Sequence, residues 1–354
     1  MTKVFIFGLG LIGGSIAKRL KSVHGNKYTV YAFTKDEEDI KEAFTDGSID
    51  KGFTKLSEDS FFDFDIVLLA LPPEKICSFA KDIIPHFPKN AVYTDVGSIK
   101  SEIEDGMNKL GVNNVGGHHM AGTEKKGYKN SFPHLFENAY YFLTSKNEKI
   151  EELVKDLGAI PVYIDSETHD KTVAVISHVP HVLSAGLVNL AINNETKDKL
   201  LAKSAAGGFR DTTRIAASDE RLWEKILFSN KKYVVSFLKE YEKIIADLRE
   251  AVSDNNTEAV INYFKNAKIY RNELEENRQI LNHQYFDIYI SVADRVGVIA
   301  DISKILTENN INIKNIGVLK SREQIGGTLI LSVYSLEDYE KSKLLLKDKY
   351  EISK

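Results

Sequence analysis

Short apolar runs alternate with amphipathic stretches through the first 165 residues of the chain. Lys3–Phe7, Tyr28–Phe33, Ile66–Ala70, Ala91–Thr94 and Asn114–Gly116 are short, mostly apolar runs that do not alternate with polar residues. Such runs predict strands buried on both faces, as in a parallel sheet covered by helices. Leu11–Val23 and Glu74–Ile84 carry apolar residues at helical spacing. The alternation of strand and helix predicts an α/β, doubly wound sheet. Tyr140–Leu143 and Val162–Ile164 are expected to extend that sheet.

From about His169 to Arg278 the pattern is helical throughout. Thr172–Ile192 is almost wholly apolar and is expected to break at Pro180. Glu220–Val252 and Glu258–Leu274 alternate apolar and charged residues at helical period. A helix apolar on most of its surface needs cover on most sides. An all-helical second domain of this kind often takes that cover from a second copy, so a homodimer is expected. The polar segment Glu273–Gln284 reads as a linker. Beyond it, Tyr285–Val292, Val298–Glu308, Ile311–Lys320, Thr328–Tyr334 and Leu336–Lys347 predict β-α-β-β-α, with room for a last strand. That order describes a ferredoxin-like βαββαβ module. The expected domains are 1–165, 166–280 and 285–354.

Composition narrows the class. The chain has 354 residues, enough for two or three domains. A net charge of -4 gives no electrostatic reason to expect nucleic acid or an anionic membrane as partner. No apolar stretch reads as the roughly 18 residues that a membrane span needs. The glycine-interrupted N-terminus reads as part of the fold, not as a signal peptide. Cys77 is the only cysteine, which fits a reducing, cytoplasmic location.

The run Val4-Phe5-Ile6-Phe7-Gly8-Leu9-Gly10-Leu11-Ile12-Gly13 is a strand, a Gly-x-Gly-x-x-Gly turn and a helix start. Gly8 would make the tight turn, Gly10 would let a pyrophosphate approach, and Gly13 would let helix and strand pack closely. This is the cradle of a Rossmann-type dinucleotide site, joined by Leu71, which follows the strand expected at Ile66–Ala70. An acid about twenty residues on would hold the adenosine ribose. Thr34 stands where that acid belongs, with Asp36 nearby either serving instead or capping the next helix. NAD is the expected cofactor, and Thr34-Lys35 also admits the 2′-phosphate of NADP.

Chemistry belongs outside the carboxyl ends of the parallel strands. There lie Asp95-Val96-Gly97-Ser98-Ile99-Lys100 and Gly116-Gly117-His118-His119-Met120-Ala121-Gly122-Thr123-Glu124-Lys125. His118 and His119 are neighbours, so on an extended backbone only one of them faces the site. Ser177-His178-Val179-Pro180-His181 puts His178 and His181 on one helix face. Further on, Arg210 and Arg214 either bind a carboxylate or pair with Asp211, Asp219 or Glu220. Nothing in the spacing calls for a metal.

Taken together, Gly8–Ser15, Asp95–Lys100, His118-x-x-Ala121-Gly122-Thr123-Glu124, Ser177-His178-x-Pro180-His181 and Gly207-Gly208-Phe209-x-Asp211-x-Thr213-Arg214, with Trp223 beyond, resemble the prephenate/arogenate dehydrogenase family over residues 1–280. The tail, through Asp294-Arg295-Val296-Gly297-Val298, resembles an ACT domain, an amino-acid-sensing module. The chain departs from the family at Thr34, at Val296 where Pro is usual, and at His119, where a Pro commonly follows the catalytic His.

The resemblance implies oxidative decarboxylation of prephenate to 4-hydroxyphenylpyruvate, in tyrosine biosynthesis. It implies His118 as base and Ser98 as its orienter. Arg214, His181, His178, Glu124 and Lys125 would meet the substrate. Asp294, Gly297 and Asn315 would form an effector site, with tyrosine the expected effector. Arogenate as substrate is one alternative. A non-catalytic dinucleotide and amino-acid sensor is another, of a different class.

Overall fold

The structure, a computed structural model, describes residues 1–56, 63–88, 90–123, 125–281, 286–293, 295–319 and 327–353. Residues 1–244 and 245–354 each pack as a compact unit.

The first unit opens with β1 (Thr2–Phe7), α1 (Leu11–His24), β2 (Tyr28–Phe33), α2 (Glu37–Thr45), β3 (Lys51–Phe53), β4 (Ile66–Leu69), α3 (Pro73–Ile83), β5 (Val92–Asp95), α4 (Ser101–Lys109) and β6 (Asn114–Val115). The six strands are parallel, in the order β3-β2-β1-β4-β5-β6. The order reverses between β1 and β4, which opens a crevice beyond their carboxyl ends. Successive residues of β1 serve opposite faces. Val4 and Ile6 join the core cluster under α1, and Phe5 and Phe7 join an aromatic cluster with Phe33, Phe64 and Phe87 on the other face. Burial on both faces is the reason these strands read as mostly apolar runs without alternation. The short edge strand β3 carries no such run, and the hydrophobic pattern does not reveal it.

β7 (Gly117–His119), β8 (Tyr140–Leu143), α5 (Glu148–Asp156) and β9 (Ile160–Tyr163) follow. β8 and β9 do not extend the parallel sheet. They form a separate three-stranded sheet with β7, in which β7 runs antiparallel to β8. The antiparallel strand that carries His118 forces this split.

The helical part holds α6 (Ser166–Val173), α7 (Val179–Asn193), α8 (Leu200–Ser204), α9 (Gly207–Thr213), α10 (Glu220–Ser229) and α11 (Lys231–Ser253), which crosses the boundary between the units. The expected break at Pro180 does not occur. A π turn at Ala174–His178 joins α6 to α7, and Pro180 sits in the first turn of α7, where its missing N–H costs nothing. The merged run Ser166–Asn193 has 28 residues and a mean hydropathy of 1.5 in its apolar window, of which only 17% is buried within this chain. By length and composition it passes the test for a membrane span, contrary to the expectation from the sequence. Ile176, Leu190 and Ile192 are among its exposed apolar side chains.

The second unit includes α12 (Thr257–Leu281), β10 (Phe286–Val292), α13 (Val298–Glu308), β11 (Ile313–Leu319), β12 (Gly327–Val333), α14 (Leu336–Leu346) and β13 (Glu351–Ser353). The segment expected as a linker is helical up to Leu281, because its polar residues are good helix formers. The sheet is antiparallel, in the order β11-β12-β10-β13, and packs its own core around Ile290, Ile302, Leu306 and Leu331.

Candidate active site

The glycine turn has the shape that a dinucleotide needs. Gly8 has φ +98°, and a Cβ there would lie 2.3 Å from the Ala70 carbonyl oxygen. A Cβ on Gly13 would lie 1.9 Å from the Gly8 oxygen, so α1 presses on the turn. Gly10 is different: it is exposed and has open space around it. It also stands at the N-terminus of α1, where no side chain caps the free N–H groups. An uncapped helix start facing open space fits an incoming phosphate. Leu9 and Leu11 are buried in the core, so they can offer a ligand only their backbone, while Ile12 is partly exposed and Leu71 packs beside Gly8.

Thr34 follows β2, partly exposed, and its N–H is tied to the Phe53 carbonyl. Asp36 caps α2 by accepting the Glu38 N–H at 2.9 Å. The acid near the ribose position is therefore occupied as a helix cap.

β5 ends in Asp95, buried against the Lys100 ammonium. The same ammonium donates to the Gly117 carbonyl at 2.7 Å, which ties the Ser98 loop to the strand carrying His118. Ser98 is partly exposed in that loop, and among the described residues it makes no hydrogen bond to His118.

The partner of His118 is one that sequence reasoning missed. Its Nδ1 lies 2.8 Å from Nε2 of His169 on α6. His169 Nδ1 lies 2.8 Å from Oδ1 of Asp170. Asp170 also accepts the backbone N–H groups of Lys100 at 2.7 Å and Ser101 at 2.9 Å. The adjacent His-Asp pair at the start of a helix was the only signal in the sequence, and it has no spacing rule to single it out.

Burial, above all, holds His118 well below the ordinary histidine range; nearby His169, His119, Lys100 and His178 add to the effect. A neutral imidazole in a cleft is a proton acceptor in waiting. His119 turns the other way, its Nδ1 on the Ala121 carbonyl and its ring against Phe136, and burial lowers it to about 4.

His178 and His181 do share a neighbour. His181 stacks on Trp223 with ring centroids 3.7 Å apart, and His178 meets the same ring edge-on at 6.2 Å. His181 Nδ1 donates to the Ser177 carbonyl at 2.9 Å, leaving Nε2 as acceptor. His178 is 1% exposed and takes a contact from the Asn230 amide at 3.2 Å, so it lies behind the site. Arg214 is exposed near His181, whose basicity it lowers after burial. Among the described residues neither Arg210 nor Arg214 forms an ion pair, since Asp219 instead holds Lys126 at 2.6 Å. Lys125 is exposed. Glu124 and Asp294 lie outside the described residues. No group of three or more metal-ligating side chains gathers among the described residues.

In the second unit, Gly297 has φ +88° at the start of α13 with open space around it, and Asn315 is exposed on β11.

Comparison with known proteins identifies the family. The family model for the prephenate dehydrogenase nucleotide-binding domain matches residues 16–161, that for the prephenate dehydrogenase dimerization domain matches 165–266, and an ACT domain model matches 286–341. A prephenate dehydrogenase of Bacillus subtilis is 34% identical over 96% of this chain and 94% of its own length. The crystal structure of prephenate dehydrogenase from Aquifex aeolicus, in complex with hydroxyphenyl propionate and NAD+, is 35% identical with a TM-score of 0.71, over 77% of this chain and 98% of that one. Arogenate dehydrogenase from Synechocystis is 26% identical with a TM-score of 0.69, over 77% of this chain and all of that one. With a glycine cradle at the switch point of a parallel sheet, a neutral histidine beyond its strand ends and matches that span the whole fold, the chain belongs to the prephenate dehydrogenase family of NAD-dependent oxidoreductases.

Proposed function

We propose that the protein oxidises and decarboxylates prephenate to 4-hydroxyphenylpyruvate. The observation that carries this reading is His118: a partly buried, neutral imidazole beyond the carboxyl edge of the sheet, with Nδ1 engaged and Nε2 left for a substrate hydroxyl. When bound, the dinucleotide supplies the hydride acceptor. His118 takes the ring hydroxyl proton as the carbinol carbon gives up its hydride. The ring carboxylate then leaves as CO₂, its bonding pair aromatises the ring, and the proton returns to the phenol oxygen. Arg214, exposed and without an ion pair among the described residues, suits a substrate carboxylate. His181 on Trp223 lines the same side. The roles expected of Ser98, Lys125 and Glu124 remain those the family resemblance implies, whereas His178, buried behind the site, backs the His181–Trp223 pair rather than meeting substrate.

NAD is the cofactor we favour, with NADP admitted by Thr34. The division of labour is dinucleotide binding up to 165, substrate binding and dimerisation over 166–280, and regulation over 285–354. The uncovered apolar face of Ser166–Asn193 fits a homodimer interface in the segment matched by the dimerization model, rather than a membrane span. Tyrosine is the proposed effector of the tail, through Gly297, Asn315 and Asp294, and deleting residues 285–354 should abolish its inhibition.

The deciding experiment follows reduced nicotinamide by absorbance, with NAD and NADP in turn, with and without tyrosine. Fast turnover of prephenate supports the proposal. Turnover of arogenate alone keeps the mechanism and changes the substrate, a second reading favoured by the arogenate dehydrogenase neighbour. No turnover of either rejects the reading.

A further inference from the structure

We propose that His169 and Asp170 form a positioning dyad that fixes the tautomer of His118, making Nε2 of His118 the basic nitrogen. The inference rests on the reading of His118 as the base, and goes beyond it by naming what makes that base competent.

The argument runs through proton positions along one chain of contacts. Asp170 accepts three hydrogen bonds, from the backbone N–H groups of Lys100 and Ser101 and from His169 Nδ1. Burial pushes its carboxyl up, but the hydrogen bonds from His169, Ser101 and Lys100 outweigh that, and it stays below the usual carboxylate range. An ionised carboxylate can only accept, so the hydrogen of His169 sits on Nδ1. With its one ring hydrogen on Nδ1, His169 presents a lone pair at Nε2. It faces Nδ1 of His118 at 2.8 Å, and that contact is a hydrogen bond only if His118 carries its hydrogen on Nδ1. The remaining nitrogen of His118, Nε2, is left with a lone pair for the substrate.

The dyad is built to hold this arrangement. His169 is fully buried and Asp170 is 4% exposed. The Asn230 amide donates to the Asp170 carbonyl at 2.8 Å, which pins the turn of α6 from the far side. The His169 ring also packs on Phe142 and on His118 itself. The charged and titratable groups around His118 are His119 on its own strand, Lys100 before α4, His169 and Asp170 on α6, and His178 on the π turn. Asp170 is the anion among them that reaches His118 through a hydrogen-bonded ring. It therefore also stabilises the imidazolium that forms as the hydroxyl proton is taken, while its two backbone contacts fix α4 and the Ser98 loop to the same point.

The test uses the full-length protein. Nitrogen-15 NMR of the histidines should show neutral His118 with its hydrogen on Nδ1. A hydrogen on Nε2 would overturn the proposal without any variant. Next, His169→Phe keeps the ring volume but removes both nitrogens. It should lower kcat by about 10²- to 10⁴-fold, as the wrong tautomer does in other histidine bases, and displace the acid limb of the pH profile, with KM nearly unchanged. His169→Gln places an amide oxygen where Nε2 was and should recover part of the loss. A role in folding alone would lower the melting temperature and leave the pH profile and the His118 tautomer as they were, which would reject the dyad. His118→Asn is measured alongside. If it retains turnover, the base reading itself fails. If it loses turnover while His169→Phe keeps a normal kcat and pH profile, the base stands and the dyad falls.

Discussion

The ammonium of Lys100 is buried against the carboxylate of Asp95, with both side chains 1% exposed. Such a pair contributes little net stability, but removing one partner strands the other charge. Among the described residues one oxygen of Asp95 has no hydrogen-bond partner, so it has little reserve. Lys100→Met is expected to cost roughly 3–5 kcal/mol in urea unfolding. The double variant with Asp95→Asn should recover part of that. A loss below about 1 kcal/mol for Lys100→Met would mean that water reaches the carboxylate.

The two outer glycines of the cradle and the middle one should fail differently. A Cβ on Gly13 meets backbone at 1.9 Å, so Gly13→Ala is expected to lower the melting temperature as well as dinucleotide affinity. Gly10→Ala meets nothing within 4 Å among the described residues. It should leave the melting temperature unchanged and weaken dinucleotide binding by about tenfold or more, because the added methyl stands where the pyrophosphate approaches. Calorimetric titration with NAD separates the two.

His118→Asn should lower kcat by about 10²–10⁴-fold, the usual contribution of a general base, with little change in KM. Arg214→Gln should do the converse. The side chain is exposed and makes no ion pair among the described residues, so stability should hold while KM for the substrate rises. Unchanged KM would assign the carboxylate to another cation.

Acid should destabilise the protein from neutrality downward. His119 and His178 are held near 4, mainly by burial, against an ordinary value of 6.5. Between those values the unfolded chain binds protons that the folded chain refuses, so stability rises with pH across that window and is lost as pH falls through it. Each histidine contributes on the order of 3 kcal/mol to the fall. Urea midpoints at pH 7, 5.5 and 4.5 measure the slope, and His178→Phe should flatten it.

Much of the fold was legible before any coordinates. The buried strands of the parallel sheet, the glycine turn and the ferredoxin-like tail are local patterns, set by residues a few positions apart. The apolar runs at β1, β4 and β5 announce burial on both faces. Gly8 and Gly13 announce a turn that a Cβ would obstruct. His118 could be singled out because it follows a strand in a glycine-rich segment, and the joint pattern with Arg214 and Ser177–His181 pointed to one family.

What the sequence could not reveal depends on residues distant along the chain. Whether β8 and β9 join the parallel sheet depends on the antiparallel pairing of His118 with Phe142, which no periodicity encodes. Whether Pro180 breaks its helix depends on a π turn that absorbs the mismatch. That His118 rather than His119 meets a partner 51 positions away, His169, and that His169 is in turn held by Asp170, depends on packing between distant segments. Sequence by itself determined the buried central strands, the cradle and the candidate reactive groups, because those follow from local burial and backbone geometry. Only the tertiary structure decided which nitrogen of His118 is engaged, because a hydrogen bond is made by two groups that packing alone brings together.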